Sequence, residues 1–223
     1  MTRQKRIAEA YTGEYASGKS EVAVNRALDL AKEGRRVTLV DLDIVEPCYT
    51  LRPLKKELSA RGLTVLAWET GETAGLGEAG SVLRPENRWA LKRPGDVILD
   101  VGYGVEGVKT LNLLEGVREE PALQVLLVVN ITRPLTATVE DIVAAVREMG
   151  RVDGLVNNTH LGDETTVEVV QEGARVVTEA ARRAGLPVVA TTAVRELAFQ
   201  IGERDCCGNP VRPIIRYMKG AFW

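Results

Sequence analysis

Residues 13–20 read "GEYASGKS". Gly13, Gly18, Lys19 and Ser20 fit G-x-x-x-x-G-K-[ST], the pattern of a loop that wraps phosphate. The glycines permit a backbone path that turns several N–H groups inward, toward anionic oxygens. Lys19 supplies a point charge for the outer phosphates, and the Ser20 hydroxyl can ligate Mg²⁺. The pattern is short, so its surroundings decide. Residues 5–12, ending in "RIAEAYT", read as a strand. Residues 19–33 read as a helix, with Val24, Ala27, Leu28 and Ala31 at i, i+3, i+4 and i+7 and Gly34 as its stop. Strand, loop and helix in that order aim a helix N-terminus at the same anion.

The alternation continues outward. Apolar strands are expected at 37–43, 63–69, 96–102, 124–130, 152–158 and 186–192. Helices are expected at 51–61, 107–115, 137–149 and 166–184, with Val139, Ile142, Val143 and Val146 as the core stripe of the third. The stretch 70–83 is a glycine-rich loop, a short helix follows near 85–92, and "VRPIIRYM" (211–218) suits an edge strand. No element is assigned to 193–202. Continuous apolar strands between amphipathic helices predict an α/β fold, a mostly parallel sheet with helices on both faces. No linker or repeat divides it, so 1–223 reads as one phosphate-loop nucleotide-binding domain.

In such a sheet ligands bind at the carboxyl ends of the strands. Those ends carry Asp41 and Asp43, then Asp100 and Gly102, then Asn157 and Asn158. Carboxylates at neighbouring strand ends can organise Mg²⁺ through its waters. "GYGVEG" (102–107) also fits the dinucleotide pattern G-x-G-x-x-G. That pattern needs a second strand ending in an acid about 20 residues on. Here Glu119 and Glu120 stand beside Pro121, before the next strand begins. The better expectation makes Asp100 and Gly102 a sensor of the terminal phosphate, with the Gly102 N–H as donor.

Composition sets bounds. The chain has 223 residues, 45% hydrophobic and 27% charged, enough for one sizeable core. A net charge of −2 argues against general nucleic-acid binding. No apolar run approaches ~18 residues and no signal-peptide core opens the chain, so no membrane span and a cytoplasmic location are expected. Cys48, Cys206 and Cys207 form no C-x-x-C, and Cys206 and Cys207 are expected as unpaired thiols. His160 is expected as a surface residue at a strand end.

With these residues placed, the chain resembles the MinD/ParA/Mrp group of P-loop ATPases, which includes nitrogenase iron protein and the CobQ/CobB amide ligases. The resemblance spans roughly 5–192 and rests on "GEYASGKS", "VTLVDLDIVEP", "VILDVG" and "GLVNNTH". It implies ATP with Mg²⁺ as ligands. The nucleotide would contact Gly13, Glu14, Tyr15, Ala16, Ser17, Gly18, Lys19, Ser20 and Glu21, with Gly102 at the terminal phosphate. Asn158 would read the adenine. Ser20, Asp41 and Asp100 would organise the metal, and Lys19 and Asp43 would act in catalysis, Asp43 on the attacking water. The resemblance fails at the second loop position. Many members of the group carry a lysine there that crosses a dimer interface, whereas this chain has Glu14, whose carboxylate is expected to point away from phosphate. Tyr15 and Ala16 replace two glycines. The leading expectation is a slow ATPase that switches a protein partner, with homodimerisation open. The alternatives are a small-molecule kinase or CobQ/CobB-type ligase, and a nucleotide-binding module with negligible turnover.

Overall fold

The computed structural model describes residues 5–43, 51–68 and 83–218. Eight strands form one sheet: β1 (Ala8–Gly13), β2 (Val37–Leu42), β3 (Thr64–Leu66), β4 (Asp96–Tyr103), β5 (Leu123–Val129), β6 (Gly154–Asn157), β7 (Val188–Val194) and β8 (Val211–Ile214). Their order is β3-β2-β4-β1-β5-β6-β7-β8, and every neighbouring pair is parallel. The sheet is fully parallel, one step beyond the mostly parallel sheet expected. The helices are α1 (Lys19–Lys32), α2 (Lys55–Ala60), α3 (Gly104–Lys109), α4 (Val139–Met149), α5 (Val167–Ala184) and α6 (Arg195–Ile201).

Side-chain alternation along the strands feeds two cores. Ala8, Ala10, Val97, Leu99, Val125 and Leu127 face one way, packing with Ile142 of α4 and Val177 of α5. Tyr11, Ile98, Leu126 and Val128 face the other way, packing with Val22, Ala23 and Leu30 of α1. Strands buried on both faces favour apolar residues on both faces, which explains the near-continuous apolar runs in the sequence.

Several elements are shorter than expected. Of the described residues 63–68 of the run expected at 63–69, only Thr64–Leu66 is strand, since it sits at the sheet edge and pairs with β2 alone. The helix expected at 51–61 is a 3₁₀ turn, Arg52–Leu54, running into α2, and that near 85–92 is 3₁₀ throughout, opened by Pro85. The helix expected at 107–115 starts earlier, at Gly104, and gives way to 3₁₀ at Thr110–Leu113. The expected edge strand near the C-terminus is β8, whose Pro213 sits where no further ladder bond is needed. α6 has no counterpart in the sequence reading. The 70–82 part of the glycine-rich loop lies outside the described residues.

Of the three glycines of "GYGVEG", Gly104 has φ 63° and Gly107 is required by packing. A Cβ on Gly107 would stand 1.9 Å from the Gly102 carbonyl oxygen, so the first turn of α3 lies directly against the end of β4. Gly107→Ala therefore forces backbone movement, and an overpacking cost of about 1–3 kcal/mol is expected. Urea unfolding checks this, and a midpoint unchanged from wild type would refute the contact.

Candidate functional site

The carboxyl edge of the sheet gathers the expected residues. β1 ends at Gly13, between β4 and β5. The chain then turns through residues 14–18 into α1. A Cβ at Gly13 would lie 2.4 Å from Ser17 Oγ and 2.6 Å from the Val128 carbonyl, so the loop closes tightly on the sheet. Ala16 has φ 55°, a left-handed conformation that costs a residue with a side chain. Gly18 has φ 83°, and its Cβ would collide with the Asn158 amide at 2.2 Å.

Three contacts fix this path. The Ser17 N–H donates to the Glu14 carbonyl at 3.1 Å. Asn158 Nδ2 donates to the Ser17 carbonyl at 2.7 Å, while its Oδ1 accepts from Thr192 Oγ1 at 2.6 Å. Arg133 Nε donates to the Ala16 carbonyl at 3.2 Å. The amide expected to read the base thus ties β6 and β7 to the loop. Arg133 is a supporting residue that the sequence reading missed. No local pattern marks it, since its position depends on the neighbouring β5.

Lys19 and three carboxylates meet beside the loop. Parallel register places Asp41 opposite Asp100 on adjacent strands. Asp43 follows two residues on, its N–H donating to Asp41 Oδ1 at 3.1 Å. Lys19 Nζ lies 3.0 Å from Asp43 Oδ2. Asn87 Nδ2 donates to the Asp41 carbonyl at 2.8 Å and anchors the end of β2. Asp100 is fully buried, and neither of its carboxylate oxygens has a hydrogen-bond partner. Burial pushes its pKa up to about 8, with Asp41 and Asp43 adding to the rise and Lys19 opposing it. The Ser20 hydroxyl also favours the charged form, without a hydrogen bond of normal geometry.

The remaining loop residues divide by direction. Tyr15 is exposed and meets Tyr103 edge-on, ring centroids 5.9 Å apart. Glu14 is half-buried, and burial and then the Glu148 carboxylate raise its pKa. Glu21 lines the pocket beside Gly18, and its carboxylate accepts the N–H groups of Tyr217 and Met218 at 3.0 and 2.7 Å. Asn25, one turn on, exchanges two 2.8 Å hydrogen bonds with the Ile215 backbone. The segment 215–218 is thus strapped along the helix that follows the loop. Gly102 lies within β4, and its carbonyl accepts from Thr12 Oγ1 at 3.2 Å.

Beside Gly18 a pocket opens between Asn158, His160, Thr192, Val194, Ile214 and Arg216. Arg216 pairs with Asp163 at its rim. His160 is not the surface residue expected. It is part of the wall, its Nδ1 accepts from the Gly162 N–H at 3.3 Å, and burial, then Arg133 and Arg216, lower its pKa to about 4. The ring is therefore neutral at pH 7.

No family model and no curated protein matches the chain. Solved structures do. The chain is similar to a nucleotide-binding protein from Archaeoglobus fulgidus in complex with ADP. That match has 17% identity and TM-score 0.52, and covers 86% of this chain and 84% of that one. The fold is that of the P-loop NTPases. The cell division protein FtsY from Thermotoga maritima matches at 17% identity and TM-score 0.53, over 86% of this chain and 63% of that chain. The signal recognition particle receptor FtsY from Elizabethkingia anophelis, in complex with GDP, matches at 15% identity and TM-score 0.54, over 88% and 60%. The chain spans about three fifths of the FtsY chains' length. Identities this low establish the shared architecture, not a family. Among the described residues no helix is long and apolar enough to cross a membrane.

Asp100 gives a pH signature. Its folded pKa is raised, so between about pH 4 and 8 the folded protein holds a proton that the unfolded chain has released. Stability from this group therefore falls as pH rises through that window. In EDTA, without nucleotide, Asp100→Asn should remove the decline and be more stable than wild type at pH 8. Urea titrations at pH 5 and pH 8 measure it, and equal pH dependence in both proteins would contradict the assignment.

Proposed function

We propose that the protein binds Mg-ATP through residues 13–20, hydrolyses it slowly, and uses the bound state to switch an interaction with a protein partner. The observation that carries this reading is the orphaned Asp100 carboxylate beside Ser20, Lys19, Asp41 and Asp43, at the mouth of a pre-shaped phosphate loop. Buried carboxylates without partners are costly, so a site that keeps one needs a proton or a cation. Among the described residues no three His, Cys, Asp or Glu side chains form a metal site by themselves. Mg²⁺ fits that donor set, because it keeps several waters and takes the rest of its ligands from phosphate and few protein groups. When bound it would supply charge neutralisation between the phosphates and this acidic edge.

In this reading Ser20, Asp41 and Asp100 hold the hydrated cation. The Gly13–Lys19 backbone orients the phosphates, and the Gly102 N–H donates to the terminal one. Lys19 leaves Asp43 for the phosphate oxygens. Asp43, released from that pair, orients the attacking water. The purine would lie in the pocket beside Gly18, Asn158 and His160. The choice of adenine follows the resemblance to the MinD/ParA/Mrp group and the ADP of the Archaeoglobus fulgidus neighbour, against the GDP of the Elizabethkingia anophelis one.

Partner dependence follows from Glu14. Phosphoryl transfer needs positive charge on the transition state, and a supplied cation can be worth roughly 10³–10⁵ in rate. Glu14 cannot supply it, and with Glu148 nearby that side of the loop is acidic. A partner bearing its own Arg or Lys suits this face better than a second copy meeting it loop to loop.

Calorimetry and phosphate release test the proposal together. Lys19→Ala should weaken Mg-ATP binding by about 2–3 kcal/mol, a factor of roughly 30 to 150, since it removes a charge-assisted contact. EDTA should weaken wild-type ATP binding, because the acidic edge then repels the phosphates. Asp43→Asn should lower turnover with affinity nearly unchanged. Equal Mg-ATP affinity in wild type and Lys19→Ala, or tighter binding of Mg-GTP, would refute it.

A further inference from the structure

Cys206 and Cys207 lie on the turn between α6 and β8, away from the phosphate loop. Both are free thiols and exposed, with their sulfurs 3.9 Å apart. Neighbouring side chains of an extended chain point to opposite sides. Here a turn brings both sulfurs to one side, and the groups that hold the turn are not the thiols. Asp205 is buried, and its carboxylate accepts from Thr191 Oγ1 at 2.6 Å, the Cys207 N–H at 2.9 Å and the Asn209 N–H at 3.0 Å. Across the turn, Gln171 of α5 accepts the Cys206 N–H on Oε1 at 2.8 Å. Its carbonyl lies 3.5 Å from Cys206 Sγ. β7, through Thr191, and α5 thus set the backbone of both cysteines.

The spacing selects a chemistry. A disulfide requires sulfurs about 2.05 Å apart. Two thiolates bonded at about 2.3 Å to one centre stand about 3.3 to 4.0 Å apart, for S–centre–S angles from about 90°, as at trivalent arsenic, to about 120°, as at three-coordinate Cu(I). The observed separation matches the second. Thiolates are soft ligands and select soft ions such as Cu(I). We propose that Cys206 and Cys207 form a two-thiolate clip for a soft, thiophilic centre, either Cu(I) or trivalent arsenic.

Two further facts shape the clip. Among the described residues no third His, Cys, Asp or Glu completes a cage around a metal. Other coordination positions are left to solvent or to a donor on another molecule, as in sites that pass a centre on and unlike closed structural sites. Both thiols are exposed, so a centre reaches them directly from solvent. Each thiol proton leaves when the centre displaces it. Cu(I) binding releases two protons and forms two Cu–S bonds. With an arsine oxide, two As–S bonds form, the As=O oxygen leaves as water with both thiol protons, and no electrons are transferred.

The test titrates the full chain, kept reduced, with phenylarsine oxide and separately with Cu(I) against a chromogenic competitor. One equivalent of at least one probe should bind and protect two thiols from a thiol-specific dye. Cys206→Ser and Cys207→Ser should each weaken binding about 100-fold, since one bond of a chelate is lost. Gln171→Ala should weaken it roughly tenfold with both thiols intact, because it loosens a pre-organised turn. Mg-ATP affinity should not change in the two serine variants, which separates this site from the nucleotide site. The proposal fails if neither probe binds. It also fails if binding survives Cys206→Ser with Cys207→Ser, or if a peptide of residues 202–212 binds as tightly as the folded chain.

Discussion

A loop can turn its N–H groups toward a ligand only if its carbonyls are held from behind. In this protein that support comes from outside the loop. The Ser17 carbonyl is held by Asn158, itself held by Thr192, and the Ala16 carbonyl by Arg133. These residues come from β7 and from the segments that follow β5 and β6, so the loop keeps its shape only when three strands are in register. The same support answers for Ala16, a residue with a side chain in a left-handed conformation that glycine would adopt more cheaply. The need for close approach also explains why positions 13 and 18 are glycine, since a Cβ at either would strike Ser17 or Asn158.

Electrostatics supplies the second half of the site. The parallel register of β2 and β4 sets Asp41 against Asp100, and Lys19 bridges toward Asp43. The three carboxylates outnumber the lysine in a buried space. Such an arrangement costs stability in the empty protein and favours a ligand that carries a divalent cation between its phosphates and the acidic edge. In the function proposed above, free energy held against folding here would become affinity for the Mg-nucleotide, and affinity that differs between states is what a switch requires.

Much of the fold was legible because burial on both faces forces a simple pattern. The strands at 37–42, 96–103 and 123–129 are mostly apolar on both faces, and the helices between them carry a clear stripe. Short and edge elements were less legible. β3 pairs over three residues with a single neighbour, and α6 spans only seven, too few to show a period. Within the site, the glycines, Lys19, Ser20 and the three aspartates stand out because their spacing follows from local chemistry. Arg133 and the strap of Glu21 and Asn25 onto residues 215–218 do not, because each contact joins segments that are remote in the chain. His160 was misread for a related reason: a strand end is a surface in general, but here the end of β7 with Ile214 and Arg216 builds a wall beside it.

The central claim is that the eight residues from Gly13 to Ser20 grip phosphate through backbone N–H groups. Hydrogen exchange of peptides covering residues 13–20, with and without Mg-ATP, measures that most directly. Strong protection of this segment on adding Mg-ATP is the result the account predicts. Unchanged exchange at 13–20 under saturating Mg-ATP, or protection confined to other segments, would contradict it.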